Sequence, residues 1–265
     1  MIRVLVNGAD GRMGREVVKA VHADKDLEFV GGISITSIGE DAGVLAGVGP
    51  LGIAIGDDLA AALETLKPDV VVDFTTPKAI FSSAQVVLNH GINMVVGTTG
   101  LTADQRDVLA SVAAAHNANI FIAPNFSIGA VLMMKVSEEI APFMPDVEII
   151  ELHHNNKLDA PSGTAILTAQ KINDSRTAAA AAMAPDKTHE SLAGARGAKV
   201  DDIPIHSVRL PGYVAHQQVL FGGQGEILTI RHDSLDRKSF MPGVILAIKK
   251  IGSCPGLTFG LEHFL

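Results

Sequence analysis

IRVLVNGADGRMGREVVKAVH, Ile2 to His22, is the stretch whose reading decides the fold. Ile2–Val6 is a short apolar run that stops at a glycine turn, the mark of a buried strand. An amphipathic helix is expected from about Arg12 to His22. Between them, Gly8 permits a tight turn, Gly11 lets a pyrophosphate approach the backbone, and Gly14 lets helix and sheet pack closely. The spacing is GxxGxxG rather than GxGxxG, so the strand–turn–helix context carries more weight than the glycines. It predicts a dinucleotide site.

Working outward, a second strand is expected over Glu28–Ile35, ending in SITS, Ser34 to Ser37. A dinucleotide fold usually places an acid here for the ribose hydroxyls, or a base for a 2′-phosphate. These four residues supply neither, which leaves NADH and NADPH both open, with Arg12 the nearest fixed cation. From there strands and helices alternate. A weak strand at Ile53–Ile55 precedes a helix capped by Asp57 or Asp58 and running through Leu66. DVVVDFTTP, INMVVGTTG and NIFIAPNFS are strands, separated by a helix to about Asn89 and one from the Thr102 cap through His116. Strands that alternate with helices and lack a polar face imply a parallel sheet covered on both sides. Their carboxyl ends carry FTTP, GTTG and APNFS. Each could be ordinary turn chemistry, but together they line one ligand crevice with the glycine turn.

After Gly129 the pattern changes. A helix is expected over Ala130–Ala141, and Asp174–Lys187 and Gly194–Asp202 read as mobile surface. IPIHSVRL, HQQVLFGG and EILTIRHD are strands joined by glycine turns, a mostly antiparallel set. Phe240–Ile251 is apolar enough to return to the first domain. The expected fold class is α/β: a Rossmann-like doubly wound parallel sheet plus an inserted α+β domain with a mostly antiparallel sheet. Residues 1–126, completed by 240–265, form the dinucleotide domain, and 127–239 the substrate-binding and oligomerisation domain.

Within that insertion stands ELHHNNKLDAPSGTA, Glu151 to Ala165. It begins as a strand, so Glu151 and His153 leave on one face and Leu152 and His154 on the other. Pro161 disfavours helix at Ala160, which makes Ser162 the N-cap of a helix expected over Gly163–Ile172. That helix has no acid in its first turn. An outside anion could sit there, held by backbone N–H groups, the Ser162 and Thr164 hydroxyls and Lys157, beside two imidazoles. A His pair at a strand end can be merely a polar edge, and a Ser-Gly-Thr cap merely a cap. Their clustering within a dozen residues points instead to an active site for an acidic small molecule. A metal site fits poorly, because the two imidazoles diverge and lysine is a poor ligand.

Composition narrows the class. At 47% hydrophobic and 19% charged residues the chain suits a soluble globular protein with a large core. No apolar run approaches the ~20 residues of a membrane span, and MIRVLVNG enters a strand at once, leaving no room for a signal peptide. The single cysteine, Cys254, excludes an internal disulfide and suits the cytoplasm. A net charge of −8 argues against nucleic-acid binding, so an anionic substrate must be held by local positive charge.

GADGRMG, GTTG, APNFS and above all ELHHNNKLDAPSGTA resemble the 4-hydroxy-tetrahydrodipicolinate reductase family of the diaminopimelate–lysine pathway. The resemblance covers nearly the whole chain, including GARGA, IHSVR and FGGQGE; the HHxxKxDAPSGTA signature is its most specific part. It implies a Rossmann-like domain, a substrate and oligomerisation domain, and a homotetramer. It also implies that Gly8, Ala9, Asp10, Gly11, Arg12 and Met13 contact NADH or NADPH. Phe74, Gly97, Thr98 and Thr99, with Ala123, Pro124, Asn125 and Phe126, would do the same from the other strand ends. His153 and Lys157 would be the catalytic pair, and His154, Ser162, Gly163 and Thr164 would hold a small dicarboxylate; no metal is implied. Many members carry an acid followed by an arginine where this chain has SITS, a departure that bears on cofactor preference. Two other readings share these features: a dehydrogenase of the same architecture for another substrate, and a module that binds NAD(P)H as a signal. The LHHNNKLDAPSGT stretch argues against the first, and its imidazoles and lysine have no purpose in the second.

Overall fold

In the computed structural model, which describes residues 1–265, β1 (Ile2–Asn7) is followed by the glycine turn and α1 (Arg12–Ala23). Val4, Leu5 and Val6 have no exposed surface, which is why this strand needs no polar face. The alternation continues through β2 (Leu27–Ile33), α2 (Ala42–Ala46), β3 (Ile55–Gly56), α3 (Leu59–Leu66) and β4 (Val70–Asp73). Then come α4 (Ile80–Asn89), β5 (Asn93–Val96), α5 (Ala103–Ala115) and β6 (Asn119–Ile122). A last strand near the C-terminus, β12 (Gly256–Phe259), adds itself beside β6. The sheet runs β12-β6-β5-β4-β1-β2-β3, with every pairing parallel. Strand order reverses at β1, which lies between β4 and β2, and the carboxyl edge at such a reversal is where ligands bind.

The chain divides into two units, residues 1–126 with 240–265, and residues 127–239. The second contains α6 (Ile128–Ile140), β7 (Asp146–His153), α7 (Gly163–Ala178), β8 (Ala198–Val200), β9 (Ile203–Arg209), β10 (Ala215–Gly223) and β11 (Glu226–Ser234). Its sheet runs β11-β10-β7-β9-β8, antiparallel except for the β7–β9 pair. Alternation along β7 buries Val147, Ile149 and Glu151. The first two join Ala165, Ala169, Ile172, Val219 and Phe221 in one core. Each large apolar side chain buried there stabilises the unit by roughly 1.5–3 kcal/mol. Back in the first unit, α8 (Met241–Lys250) packs Val244 and Ala247 inward, and Lys249 pairs with Asp24 and Asp26, each at 2.8 Å.

Four expectations need correction. Strand β2 ends at Ile33, two residues early, because the Ser34 hydroxyl accepts from the Thr36 backbone N–H at 3.1 Å and turns the chain. Strand β3 lies at Ile55–Gly56 rather than Ile53–Ile55, since the Ile53 carbonyl is taken by the Ala42 N–H at 2.9 Å. Helix α7 runs six residues past Ile172 into the stretch expected to be soft. Arg176, only 3% exposed, anchors that extension to the Pro145 carbonyl at 3.1 Å and to Asp202. The Gly194–Asp202 stretch likewise contains β8, and Arg196 ties it to Glu148 and Asp186.

Candidate active site

The glycine turn of the first unit has no room for side chains. Gly8 sits at φ +83, and a Cβ there would meet the Phe74 carbonyl oxygen at 2.6 Å. A Cβ on Gly14 would lie 1.9 Å from the Gly8 carbonyl oxygen, so α1 can approach the turn only with glycine at that place. Gly11 caps α1 without a side-chain bond, and the first turn, with Arg12 and Met13, carries no acid. Backbone N–H groups and the helix dipole are therefore available to a phosphate. A cavity of about 440 Å³ opens here, bounded by Asn7, Gly8, Asp10 and Gly11, by Ser34–Thr36 beyond β2, and by Phe74–Thr76 beyond β4. These features fit a dinucleotide.

The acid missing from the end of β2 arrives from the turn. The Asp10 carboxylate accepts from the Thr36 hydroxyl, and Arg15 Nε holds the Asp10 carbonyl at 2.7 Å. Partial burial opposes ionisation of Asp10, but bonds from Ser34, Thr36 and Ser37 outweigh it and keep the carboxyl below its usual range.

The other strand ends share a buried hub that the sequence did not single out. Asp73, with no exposed surface, accepts from Asn7 Nδ2 at 2.8 Å, Thr75 N at 3.0 Å, Thr75 Oγ1 at 2.8 Å and Thr98 Oγ1 at 2.7 Å. Burial pushes its carboxyl up despite those bonds. The hub locks Thr98 inward, while Gly97 gives way to the Phe74 ring, which a Cβ would meet at 2.1 Å. Phe74 in turn lies 5.8 Å from the Phe126 ring. Ala9, Ala123 and Phe126 are buried and offer a ligand mainly backbone, whereas Thr99 and Pro124 are exposed and Asn125 is half-buried. The threonine pairs in FTTP and GTTG were the available hint of a common acceptor.

In the second unit the end of β7 carries the imidazoles. His153 Nδ1 bonds Glu151 Oε2 at 2.5 Å, two residues back on the same face. Glu151 is completely buried and also receives Arg209 through Nη1 at 2.8 Å and Nη2 at 2.7 Å. Burial would raise its carboxyl, but bonds from His153, Arg209 and Ser207 bring it down to about 2. The loop beyond is stitched to this pair: Ser162 N donates to Glu151 Oε1 at 3.2 Å, and Arg209 Nη2 donates to the Asp159 carbonyl at 2.9 Å. Lys157 Nζ bonds Asp159 at 2.7 Å and holds that carboxyl low.

Ser162 caps α7, its Oγ accepting from Ala165 N at 3.2 Å, and it is 3% exposed, so its side chain serves the fold first. No acid occupies the first turn, and a Cβ on Gly163 would meet nothing within 4 Å, so the helix start faces open space. Two buried nitrogens here have no partner in the protein, His154 Nδ1 and Arg209 Nε. Such orphans are uncommon and fit a site completed by an outside polar ligand. The structure thus brings His153, His154, Lys157, Ser162, Gly163 and Thr164 onto one strand end, loop and helix start. Glu151 was legible as the same-face neighbour of His153; Arg209, 58 residues away at the end of IHSVR, carried no cue linking it to Glu151. No group of three or more His, Cys, Asp or Glu side chains is placed to hold a metal, and no helix is long and apolar enough to cross a membrane.

The parallel sheet with its glycine turn and open strand-end cavity is the fold of a nicotinamide-dependent oxidoreductase, the class to which the following relatives belong. Residues 2–126 and 129–265 match the family models described as dihydrodipicolinate reductase, N-terminus and C-terminus. The chain belongs to the dihydrodipicolinate reductase family. It is 45% identical to the 4-hydroxy-tetrahydrodipicolinate reductase of Moorella thermoacetica over 268 residues, covering 100% of this chain and 98% of that one. With the enzyme of that name from Syntrophomonas wolfei the identity is 48%, covering 99% and 98%. A dipicolinate-bound dihydrodipicolinate reductase from Paenisporosarcina sp. TG-14 superposes with a TM-score of 0.88 at 43% identity, covering 100% of both chains. An amine dehydrogenase from Mycobacterium smegmatis, 17% identical with a TM-score of 0.68 and covering 97% of this chain and 94% of that one, shares the fold alone.

Proposed function

We propose that this chain catalyses the NAD(P)H-dependent reduction of 4-hydroxy-tetrahydrodipicolinate to tetrahydrodipicolinate, a step of diaminopimelate and lysine biosynthesis. What carries this is the stretch from Glu151 to Thr164. On this short connection stand an imidazole bonded to a buried carboxylate, a lysine and a helix start without an acid. The substrate is a cyclic imine with two carboxylates. The Gly163–Thr164 helix start meets one carboxylate with backbone N–H groups, and Lys157 meets a carboxylate as a point charge. His154, with its orphaned Nδ1, contributes a further polar contact.

Loss of water leaves a conjugated ring, and the bound nicotinamide, when present, supplies hydride. The ring then holds an enamine that must gain a proton at carbon. His153 donates it as the general acid, and Lys157 assists. Most of the acceleration comes from positioning and charge rather than from proton transfer alone. The glycine turn, the Phe74 and Gly97–Thr99 strand ends and Ala123–Phe126 hold the cofactor. Both NADH and NADPH are used, with the Asp10 carboxylate tipping the balance toward NADH.

We further infer a homotetramer in the cytoplasm. Edge strand β11 leaves Ile227 74% and Leu228 39% exposed, the kind of surface a second copy would cover. Light scattering of the purified chain measures the assembly state directly. The activity is tested by following NADH and NADPH consumption with enzymatically generated substrate and identifying the product. Substrate-dependent oxidation yielding tetrahydrodipicolinate is expected. Tight NADH binding without turnover would instead favour a sensing module, and turnover of a different acid would favour another dehydrogenase.

A further inference from the structure

We propose that Glu151 and Arg209 are positioning residues for His153: a buried ion pair that keeps a proton on imidazole Nδ1 and leaves Nε2 as the working nitrogen. Its kinetic half rests on the function proposed above; its structural half does not. Strands β7 and β9 are parallel neighbours, with His153 opposite Arg209 and Glu151 opposite Ser207. Arg209 therefore reaches back along the ladder and takes both carboxylate oxygens, at 2.7 and 2.8 Å. Glu151 Oε2 accepts from His153 Nδ1 at 2.5 Å, and Oε1 accepts from Ser162 N at 3.2 Å. A fully buried carboxylate held this way is an acceptor only. The imidazole nitrogen facing it must therefore carry hydrogen in the neutral ring as well as in the cation.

The consequence is chemical. A free histidine side chain favours hydrogen on Nε2, and the identity of the protonated nitrogen is set by the partner of the other. With Nδ1–H fixed by Glu151, Nε2 alternates between a lone pair and an N–H. A proton given to a substrate carbon then always leaves from one atom at one place.

Arg209 explains why the carboxylate stays charged. A lone buried carboxylate would be strongly penalised, and a bidentate guanidinium offsets that cost. The same guanidinium grips the Asp159 carbonyl at 2.9 Å. One ion pair thus orients the imidazole, anchors the loop carrying Lys157, and holds the N-cap residue of α7. An ordinary structural ion pair would stabilise the fold without selecting a tautomer.

The test has two arms. In the first, imidazole nitrogen spectra of the full-length wild-type chain, labelled with ¹⁵N-histidine and assigned by comparison with His153→Gln, report which nitrogen of neutral His153 bears hydrogen. Hydrogen on Nδ1 is expected; hydrogen on Nε2 overturns the proposal. In the second, Glu151→Gln offers Nδ1 an amide in place of a carboxylate. It should lower kcat by about 10²–10⁴-fold, the range for losing a partner that orients or sets the tautomer of a functional imidazole, with KM changed less than about threefold and NADH binding unchanged. If the variant does not fold, Glu151→Gln combined with Arg209→Gln removes both charges at once and is read instead. A variant that keeps kcat within about threefold of wild type overturns the positioning role. A wild-type chain that shows Nδ1–H but no turnover overturns the proposed function, not this tautomer.

Discussion

The Asp10 carboxylate, on the glycine turn, accepts a hydrogen bond from the Thr36 hydroxyl, three residues past the end of β2. A ribose 2′-hydroxyl is read at this end of such a sheet, and a 2′-phosphate there would meet Asp10 as a like charge. Asp10→Asn keeps the shape and removes the charge. It should raise kcat/KM for NADPH relative to NADH by about ten- to thirtyfold, equivalent to roughly 1–2 kcal/mol. Steady-state kinetics with both cofactors check this; an unchanged ratio would remove Asp10 from cofactor selection.

In the proposed function, Lys157 faces a charge that substrate and transition state share. Lys157→Met should therefore impair binding and turnover together, because a substrate carboxylate loses its counter-charge. A raised KM with a lowered kcat is expected. An unchanged KM would mean that the lysine, whose Nζ is 2.7 Å from Asp159, serves only that contact.

The helix start separates binding from capping. Thr164→Val keeps shape and should raise KM more than it lowers thermal stability. Ser162→Ala removes the acceptor for Ala165 N and should cost about 1 kcal/mol of stability. Melting curves and KM values for the pair decide this, and a Thr164→Val chain that melts early with normal KM would reduce the site to a cap.

Acid stability should report on Glu151. Its folded-state pKa of about 2 lies below the ordinary 4.5, so the unfolded chain binds more protons at acid pH. The stability it contributes is complete above the ordinary value and is lost as pH falls toward about 2. Asp73, whose burial pushes its carboxyl up, works in the opposite sense. Melting temperature measured against pH should drop over the Glu151 window, and less steeply in Glu151→Gln. Equal slopes would show that the ion pair is not coupled to folding.

What could be read from the sequence were features with a local cause. The glycine turn, the Thr102 cap and the Ser162 cap each depend on residues a few positions apart. Strand β12 escaped because Gly256–Phe259 is four residues without alternation, defined only by pairing with β6. The end of α7 escaped because its anchors, Pro145 and Asp202, lie 31 and 26 residues from Arg176. The same separation hid the most consequential parts of the site. SITS has no acid of its own, and only the folded turn brings Asp10 to it. His153 was visible as an acid candidate, but the arginine that keeps its partner charged sits on another strand.

In the proposed function, His153 is the group that protonates carbon after hydride has moved. His153→Gln preserves size and some hydrogen bonding but cannot act as an acid. Steady-state kinetics should show kcat reduced by ~10²–10⁴ with a smaller change in KM, the range for loss of a general acid. Fluorescence titration of the same variant should show NADH binding intact, since the glycine turn belongs to the other unit. Near-normal kcat, or loss of NADH binding, would contradict the assignment.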